Sequence, residues 1–378
     1  MPTVRKQLVD AIHGSGHRVV LAITGGGSQA ISELLVVPGA SSTVLEAAVP
    51  YSTLALAGML GGECEQACSL KTSRALAMIA FERARKLSAS DDSSHLIGLS
   101  CTASLSTNRN KRGSRRAFVA FQTEWCTETA SIDLNETVED RVVEERIVAD
   151  IVLNQLSAAC GMDQRLDVGL EPERCHVERA VAETEWRALL LRQQKQVLVG
   201  QVPRTSENPP LVIFPGAFNP RHDGHLQMAD FAARRFSRRV DYELSVANVD
   251  KPLLDYSSIA NRVAQFKSDE NLWLTWAPTF VEKASCFPGA VFVVGADTIE
   301  RIANVRYYEN DTHACAKAIE NIVDLGCRFL VFGRVVSGSF WTLSQMNLPR
   351  DLMDVCEEVD ETAFRNDASS SAIRQSNL

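Results

Sequence analysis

The sequence lacks a hydrophobic run that could cross a membrane, since no stretch approaches the ~18 consecutive apolar residues a transmembrane helix needs. Its first stretch, 1–20, mixes charges of both signs and has no apolar core of a secretion signal, so we expect a cytoplasmic protein. Basic residues are also outnumbered, because the chain has 39 lysines and arginines and 47 aspartates and glutamates. The net charge of -8 argues against a general affinity for nucleic acid or an anionic membrane.

Closely paired cysteines are missing as well. The 10 cysteines are scattered, no Cys-x-x-Cys pair occurs, and only Cys64 and Cys68 lie near each other in sequence. This distribution argues against a disulfide framework and against a zinc module. Reduced and mostly buried thiols are the expected state.

The chain does contain enough residues for two globular domains, with 378 in total and an ordinary hydrophobic content of 45%. The segment GQVPRTSENPP, which ends at residue 210, carries three prolines among polar residues and is the best candidate for a linker. We predict a first domain over 1–195, a linker over 196–210 and a second domain over 211–378.

Strand-like and helix-like segments alternate in both halves. Strands are expected at RVVLAIT, HLIGLSC and RAFVAFQT, and then at LVIF, YELSVANV, LWLTWA, VFVVG and FLVFGR. Helices are expected at GGGSQAISELLVVPGAS after its opening turn, SLKTSRALAMIAFERARKLSA, VEDRVVEERIVADIVLNQLSAAC and CHVERAVAETEWRALLLRQQKQVLVG. This alternation predicts two α/β domains with largely parallel sheets.

The stretch LVIFPGAFNPRHDGHLQMADFAARRF, residues 211–236, places two histidines at the start of a predicted helix. His222 and His225 are three residues apart and share one side of that helix entrance. Free backbone N–H groups there suit phosphate, and each imidazole can donate to a phosphate oxygen, more strongly when protonated. Gly224 would let the backbone approach a ligand. A weak metal pair and incidental surface histidines are the alternatives.

Within this stretch, GAFNPRHDGHL resembles the GxFxPxHxGH signature of the nucleotidylyltransferase superfamily. Two further stretches follow in the right order. VFVVGADTIERI, residues 291–302, resembles the strand and Gly-x-Asp turn of the nicotinamide-mononucleotide adenylyltransferase branch. ASSSAIRQ, residues 368–375, resembles that branch's late Ser-Ser-x-x-Ile-Arg motif. The resemblance implies a Rossmann-like domain with a parallel sheet.

The resemblance also implies an enzyme that joins a nucleoside triphosphate to a phosphorylated small-molecule acceptor and releases pyrophosphate, with Mg²⁺ bound together with ATP. Because the acceptor oxygen is already anionic, rate would come from positioning and from neutralising charge. The serine-arginine tail favours transfer of AMP over CMP, and nicotinamide mononucleotide is the leading acceptor. The sequence LTWAPTFVEKASCFPGAVFVVGADT differs from the usual acceptor-site sequence of that branch, so the identity of the acceptor is left open.

By the same resemblance, the expected catalytic residues are His222, His225 and Arg374. The expected nucleotide-binding residues are Gly216, Ala217, Phe218, Asn219, Gly224, Gly295, Asp297, Ser369, Ser370 and Ser371. Lys251, Arg262 and Trp276 are candidates for acceptor binding, and no protein ligands to a metal are assigned. A plain helix cap is the alternative for Asp297 and for the serines. Ordinary surface or core positions are the alternatives for the acceptor candidates.

The first half resembles the C-terminal domain of the CinA family, over about residues 5–165, whose members can deamidate nicotinamide mononucleotide. The matching features are Thr24-Gly25-Gly26, Val37-Pro38-Gly39 with Ser41-Ser42, and Tyr51-Ser52. The departures concern the chemistry. Ala22 stands where the family has its nucleophilic serine, and alanine has no hydroxyl to attack an amide. Leu56 replaces the family's lysine, and CTASLSTNRNKRG replaces its glycine-rich loop.

We therefore expect no deamidase activity from the first half, which leaves three hypotheses for the whole chain. The first is a nucleotidylyltransferase with a degenerate CinA-like partner domain, which could still bind a nucleotide through Thr24, Gly25 and Gly26 or serve to form a homo-oligomer. The second is a non-catalytic nucleotide sensor, and the third a bifunctional pyridine-nucleotide enzyme. A basic cluster of Lys111, Arg112, Arg115 and Arg116 either faces phosphate or is a solvated loop.

Overall fold

The computed structural model of the chain describes residues 3–88, 92–108, 113–135, 140–200, 211–249, 252–336 and 339–366. It divides into two compact units. Unit 1 comprises Met1–Arg187 with Asp250–Ser258, and unit 2 comprises Ala188–Val249 with Ile259–Leu378. No helix in the described ranges is long and apolar enough to cross a membrane. All 10 cysteines, each within a described range, are free thiols.

Unit 1 is built around a six-stranded sheet. Its strands are β1 Arg18–Thr24, β2 Val44–Ala48, β3 Leu96–Ser104, β4 Arg116–Gln122, β5 Cys126–Asp133 and β6 Cys175–Val181. Its helices are α1 Thr3–Gly14, α2 Gln29–Val36, α3 Ala40–Thr43, α4 Thr53–Leu60, α5 Leu70–Leu87, α6 Arg141–Ala159 and α7 Thr184–Leu190. The last turn of α7 belongs to unit 2. A 3-10 turn covers Pro172–Arg174.

The strand order in unit 1 is β2-β1-β3-β4-β5-β6. Only the pairings of β1 with β2 and β3 are parallel, so the sheet is mixed, whereas the sequence predicted a largely parallel one. The reason is visible between β4 and β5, which are joined by Thr123, Glu124 and Trp125 alone. Such a connection is too short for the crossover that parallel neighbours require.

Helices cover both faces of this sheet. Ile97 and Leu99 of β3 belong to the core that contains Leu8 of α1 and Val152 of α6. Gly98 faces the opposite side, where a Cβ would lie 2.1 Å from the backbone nitrogen of Phe81 in α5. The predicted α5 and α6 are confirmed, and the glycine allows α5 to pack directly against the strand.

Unit 2 contains a seven-stranded sheet and a small hairpin. The strands are β7 Gln196–Val199, β8 Val212–Pro215, β9 Val240–Ser245, β10 Leu272–Thr275, β11 Val291–Gly295, β12 Arg328–Phe332 and β15 Cys356–Val359, with the hairpin β13 Arg334–Val336 and β14 Ser339–Trp341. The helices are α8 Asp223–Phe236, α9 Tyr256–Val263, α10 Phe280–Cys286, α11 Ala296–Ile302, α12 Thr312–Asp324 and α13 Arg350–Met353, and 3-10 turns cover Val305–Tyr308 and Leu343–Gln345. The first turn of α9 belongs to unit 1.

The strand order in unit 2 is β15-β12-β11-β8-β9-β10-β7. All neighbours are parallel except β7 and β10. From β8 the chain builds outward through β9 and β10, and then β11 returns to the other side of β8 before β12 and β15 follow. This reversal is the switch point of a doubly wound fold, and it confirms the Rossmann-like prediction.

The prediction of one amphipathic helix over the segment 175–200 is wrong. It forms β6, α7 and β7 instead. β6 pairs antiparallel with β5 from Val181 opposite Cys126 to Cys175 opposite Ile132, and Val177 and Val181 are exposed on this edge strand. β7, which the prediction placed in the linker, pairs with β10. The rest of that linker, 201–210, lies outside the described residues.

Candidate functional site

The switch point of unit 2 brings two of the predicted site segments to one edge of the sheet. Val212 of β8 is paired with Val291 of β11, and Ile213 with Phe292. Because the strands are parallel, both carboxyl ends lie at the same edge. The loop after β8 leads to the histidine pair and α8, and β11 leads directly into α11, which carries Asp297. In open α/β sheets this crevice is where ligands bind.

The two histidines form a contact pair at the amino end of α8. Their ring centroids lie 3.8 Å apart with the planes tilted by 32°. The backbone N–H of His222 donates to Nδ1 of His225 at 3.2 Å. Nδ1 of His225 is thus an acceptor, so the proton of the neutral ring is on Nε2. That nitrogen is the donor this residue can offer to a ligand.

Both imidazoles are neutral at pH 7 in this arrangement. Burial, together with His222 and Arg221 nearby, lowers the pKa of His225 from 6.5 to about 4. Burial also lowers the pKa of His222, against an opposing effect of Asp223. The histidines therefore meet a ligand as neutral hydrogen-bond donors. The protonated form considered from the sequence would need a bound anion to raise these pKa values.

Gly224 makes room for protein groups. A Cβ at this position would lie 3.0 Å from Cε1 of His222 and 3.2 Å from Oδ1 of Asn366. Any side chain would push away the first histidine of the pair or the segment that carries Asn366. The glycine is therefore explained by contacts within the protein, a role that the sequence analysis assigned to a ligand.

Phe218 lies in the core under the loop. Its side chain is 1% exposed, and its ring contacts His225 edge-on at a centroid distance of 5.3 Å. Its φ of 43° is in the left-handed region, which is uncommon for a bulky residue. A Cβ at Gly216 would lie 2.6 Å from this ring, so that glycine is required by Phe218. The sequence analysis expected both residues to bind nucleotide, and in the structure they pack behind His225.

Two side chains, one within α9 and one just after it, hold the loop between β8 and α8. Nε of Arg262 donates to the Ala217 carbonyl at 3.0 Å. Nε2 of Gln265 donates to the Phe218 carbonyl at 2.9 Å, and its Oε1 accepts from the Arg221 N–H at 2.7 Å. Arg262, a candidate for acceptor binding, therefore lies beside the loop that also contains Asn219.

Arg221 is buried at the end of this loop. Its guanidinium bonds both carboxylate oxygens of Glu270, at 2.8 and 2.5 Å, and lies 4.5 Å from the ring centroids of Tyr242 and Phe266. The sequence analysis missed Arg221, Gln265 and Glu270. No local pattern marks them, because their roles depend on contacts 44 to 49 residues apart.

The last described segment reaches the same end of α8. The side-chain amide of Asn366 donates to Oε1 of Gln227 at 2.9 Å. Phe364 packs against Phe332 of β12 and Phe231 of α8, at centroid distances of 4.9 and 6.3 Å. Ser369, Ser370, Ser371 and Arg374 lie outside the described residues, as does Lys251.

Asp297 and Trp276 have partners of their own. Asp297 pairs with Arg334 at 3.0 Å, and its Oδ1 would lie 2.9 Å from a Cβ at Gly295. Gly295 and Asp297 therefore lie where β11 ends, at the edge of the sheet that faces the crevice. The ring of Trp276 stacks against the guanidinium of Arg192 at 4.4 Å, and the backbone N–H of Trp276 donates to the Lys195 carbonyl. The neighbouring Trp273 is buried in the core of unit 2.

In unit 1 the two substituted positions of the CinA resemblance meet in an apolar cluster. Ala22 of β1 and Leu56 of α4 are buried together with Leu60 and Leu76. A buried alanine and leucine supply neither a nucleophile nor a cation to activate one. The absence of deamidase activity from this half stays a prediction.

The Thr-Gly-Gly loop of unit 1 is occupied by protein groups. The Glu145 carboxylate accepts from the N–H of Gly27 at 2.8 Å, the N–H of Gln29 at 3.0 Å and the hydroxyl of Ser28 at 3.0 Å. Thr24 donates to the Pro50 carbonyl. The amino end of α2 is therefore already neutralised by an internal anion.

The other glycines of this loop serve packing. A Cβ at Gly25 would lie 1.9 Å from the Ala103 carbonyl oxygen, and one at Gly26 would lie 2.6 Å from Leu105. In the basic cluster, Arg115 pairs with the buried Glu144 and Arg116 lies over Phe118. Lys111 and Arg112 lie outside the described residues.

Residues 213–376 match the family model described as cytidylyltransferase-like, which confirms the resemblance of this region to the HxGH nucleotidyltransferase superfamily and supports nucleotidyltransferase activity in general. The family match does not distinguish adenylyl from cytidylyl transfer. No curated protein matches the chain.

The amino-terminal part matches solved structures of the CinA group at low identity. One is the competence/damage inducible protein CihA from Agrobacterium tumefaciens, at 18% identity over 42% of this chain and 97% of that one, with a TM-score of 0.35. Another is a CinA superfamily protein from Escherichia coli, at 16% identity over 40% of this chain and 86% of that one, with a TM-score of 0.34. A third is a competence or damage-inducible protein from Enterobacter asburiae, at 17% identity over 42% and 99%, with a TM-score of 0.33.

Proposed function

We propose that unit 2 transfers AMP from ATP to a phosphorylated small molecule, with nicotinamide mononucleotide as the first candidate, and releases pyrophosphate. The observation that carries the proposal is the histidine pair at the amino end of α8, beside the end of β11 at the switch point of the sheet. Backbone N–H groups of a helix start and two imidazole donors suit a polyphosphate. The proposed setting is the cytoplasm.

The reaction needs no strong general base. A phosphate oxygen of the acceptor attacks the α-phosphorus of ATP and forms a new P–O bond. The bond from the α-phosphorus to the bridging oxygen breaks, and pyrophosphate leaves with that electron pair. Positioning the two substrates and stabilising charge on the leaving group would supply the rate.

His225 would donate from Nε2 to a triphosphate oxygen, since its Nδ1 is engaged by the backbone of His222. His222 has a buried Nδ1 with no hydrogen-bond partner in the described part of the chain. Its ring therefore has unused capacity beside the same helix end. Negative charge on a bound triphosphate would raise the pKa of both rings and strengthen their bonds.

The tail would complete the nucleotide site. Asn366 contacts the amino-terminal part of α8, and Ser369 follows three residues later. Because an extended chain advances at most ~3.6 Å per residue, the peptide bonds limit Ser369 to about 11 Å from Asn366. Ser369, Ser370 and Ser371 would bind β- and γ-phosphate oxygens, and Arg374 would add a fixed positive charge.

Mg²⁺ would enter with ATP. The described residues hold no group of three or more histidine, cysteine or carboxylate side chains placed to ligate a metal. The proposal is that phosphate oxygens and water would hold most of the ion's coordination positions. When bound, it would neutralise charge on the triphosphate, and the protein groups would orient that complex.

Unit 1 would act without chemistry of its own. The buried Ala22 and Leu56 and the internal anion Glu145 support a role as a structural partner, with formation of a homo-oligomer as its proposed contribution. The proposal includes no contact with nucleic acid or membrane.

The test uses the full chain. Purified protein is incubated with Mg²⁺, each nucleoside triphosphate in turn and a panel of phosphorylated acceptors, and released pyrophosphate is measured. We expect release with ATP and nicotinamide mononucleotide, which His225→Ala reduces by about 10²- to 10³-fold. Release only with CTP would replace the adenylyl assignment. Binding of ATP without release for any pairing would instead favour a nucleotide sensor, and formation of nicotinate mononucleotide without ATP would favour the bifunctional enzyme.

A further inference from the structure

The Gln265 side chain bonds two separate backbone groups of the loop that carries the histidines. Its Nε2 donates to the Phe218 carbonyl at 2.9 Å, and its Oε1 accepts from the Arg221 N–H at 2.7 Å. Nε2 also donates to the Asn261 carbonyl at 3.2 Å, one helical turn earlier, which fixes the amide against α9. A carboxamide offers a donor and an acceptor at one position, and this contact uses both.

Arg221 provides a second anchor at the same end of the loop. Besides its bidentate pair with Glu270, its Nη1 donates to the backbone carbonyl of Gln265 at 3.1 Å. The Arg221 side chain is 6% exposed, so it is withdrawn from solvent and from any ligand. This arginine therefore serves the loop and is not a free cation for phosphate.

Both bonded groups adjoin the histidine pair. Phe218, whose carbonyl Gln265 holds, supplies the ring that packs edge-on against His225. Arg221, whose N–H Gln265 holds, directly precedes His222. The N–H of His222 then donates to His225, which fixes that ring and its tautomer. A continuous series of contacts thus runs from Gln265 to Nε2 of His225.

We propose that Gln265 is the positioning residue of the histidine pair, and that the Arg221–Glu270 pair anchors the loop in the same conformation. Its effect on the imidazoles stands on geometry alone, and its effect on turnover rests on the proposed nucleotidyltransferase function. Gln265 acts through the loop and does not touch the substrate.

The test compares Gln265→Met with the full-length wild type. Methionine has a similar length and apolar stem but neither the donor nor the acceptor. The NMR titration of His225 is followed, with its signals assigned by their loss in His225→Ala. We expect the pKa of His225 to rise from about 4 toward 6.5, because a released loop admits water to the ring. Turnover should fall by about 10²-fold, as displacements of ~1 Å can cause, with little change in the KM for ATP.

Gln265→Glu is the conservative variant. It keeps the acceptor for the Arg221 N–H but opposes the Phe218 carbonyl with a carboxylate, so its effect on turnover and on the histidine should be smaller than that of methionine. Gln194→Met, at an exposed glutamine, is the matched control and should change neither readout. If Gln265→Met does not fold, Glu270→Gln weakens the Arg221 anchor and should shift the histidine in the same direction.

An unchanged His225 titration in a folded Gln265→Met or Glu270→Gln variant would overturn the proposal, whether or not the protein is an enzyme. A shifted titration, in a protein that releases no pyrophosphate with any pair of substrates, would support the positioning and contradict only the enzymatic function.

Discussion

The side-chain amide of Asn366 donates to Oε1 of Gln227 at 2.9 Å, across 139 residues of sequence. This bond joins the last described segment of the chain to the helix that begins at the two histidines. Asn366 also lies where any side chain at Gly224 would meet it. The last described segment is therefore held at the start of α8.

A chain that ends at Asn366 tests the contribution of the tail. It keeps Phe364 and Asn366 in their contacts but removes Ser369, Ser370, Ser371 and Arg374. We expect pyrophosphate release to fall by at least ~10²-fold, since several phosphate donors are lost together, while the melting temperature stays close to that of the wild type. A chain that ends at Gln375 is the control. Equal activity of the two truncated proteins would contradict the role of the tail.

Replacement of His225 by alanine should reduce turnover by about 10²- to 10³-fold, the range found when one donor to a developing charge is removed. The measurement is pyrophosphate release at saturating ATP. His313→Ala, at an exposed histidine of α12, is the matched control. Loss of activity in both variants would point to a general effect on folding and not to the histidine pair.

The depressed pKa of His225 predicts a dependence of stability on pH. The unfolded residue titrates near 6.5 and the folded one at about 4, so between these values the unfolded state binds more protons. The contribution is therefore fully present above pH 6.5 and is lost as the pH falls toward 4. Urea unfolding at pH 7 and pH 5 should show a smaller loss for His225→Gln, which cannot titrate. Identical losses would place the pKa of the wild-type residue near its ordinary value.

Strands β8 to β12 and the place of the histidines were predicted from the sequence because they depend on local signals. β8, the loop and α8 are contiguous in the chain, and the apolar runs of β11 and β12 are bounded by glycine. The edge strand β6 was not predictable in the same way, since most of its residues are exposed and its burial does not alternate as a strand pattern would. Its strand conformation comes from pairing with β5, a contact that no local pattern encodes.

Contacts within the candidate site could not be predicted from the sequence for the same reason. Gly224 was predicted to let the backbone approach a ligand, and only the structure shows that a side chain there would also meet His222 and Asn366. Gln265 and Glu270 read as ordinary polar residues, because their partners lie far away in sequence. In unit 1, the Thr-Gly-Gly motif was considered as a nucleotide-binding loop. Only the fold shows that the Glu145 carboxylate accepts from the backbone N–H groups of Gly27 and Gln29, just after that motif.

A buried ion pair in unit 2 predicts a large effect on stability. Nζ of Lys283 lies 2.8 and 2.7 Å from the two carboxylate oxygens of Glu243, and Thr275 donates to the same carboxylate. The Glu243 side chain is 0% exposed. Lys283→Met should cost about 3–5 kcal/mol in the free energy of unfolding, because it leaves a buried charge unpaired. Urea unfolding measures this loss.

The double variant Lys283→Met with Glu243→Gln is the control for that prediction. It removes both charges, so it should recover a large part of the stability lost in the single variant. A double variant less stable than Lys283→Met alone would show that the cost comes from packing and not from the unpaired carboxylate.

The Glu145 carboxylate predicts that unit 1 is stabilised by its internal anion. Glu145→Ala removes three hydrogen bonds to a charged group and should lower the free energy of unfolding by about 1.5–3 kcal/mol, measured in urea. Glu46→Ala, which removes an exposed pair with Arg83, is the comparison and should lower the free energy of unfolding clearly less, because solvent screens that pair. Equal costs would mean that the Glu145 contacts are weak in solution.

A crystal structure of the full chain with Mg²⁺ and a non-hydrolysable ATP analogue tests the central claim most directly. The account predicts that Nε2 of His225 and the guanidinium of Arg374 both lie within about 3 Å of oxygens on the same triphosphate. A triphosphate bound by the histidines with Arg374 on another face of unit 2, or bound away from α8 altogether, would contradict it.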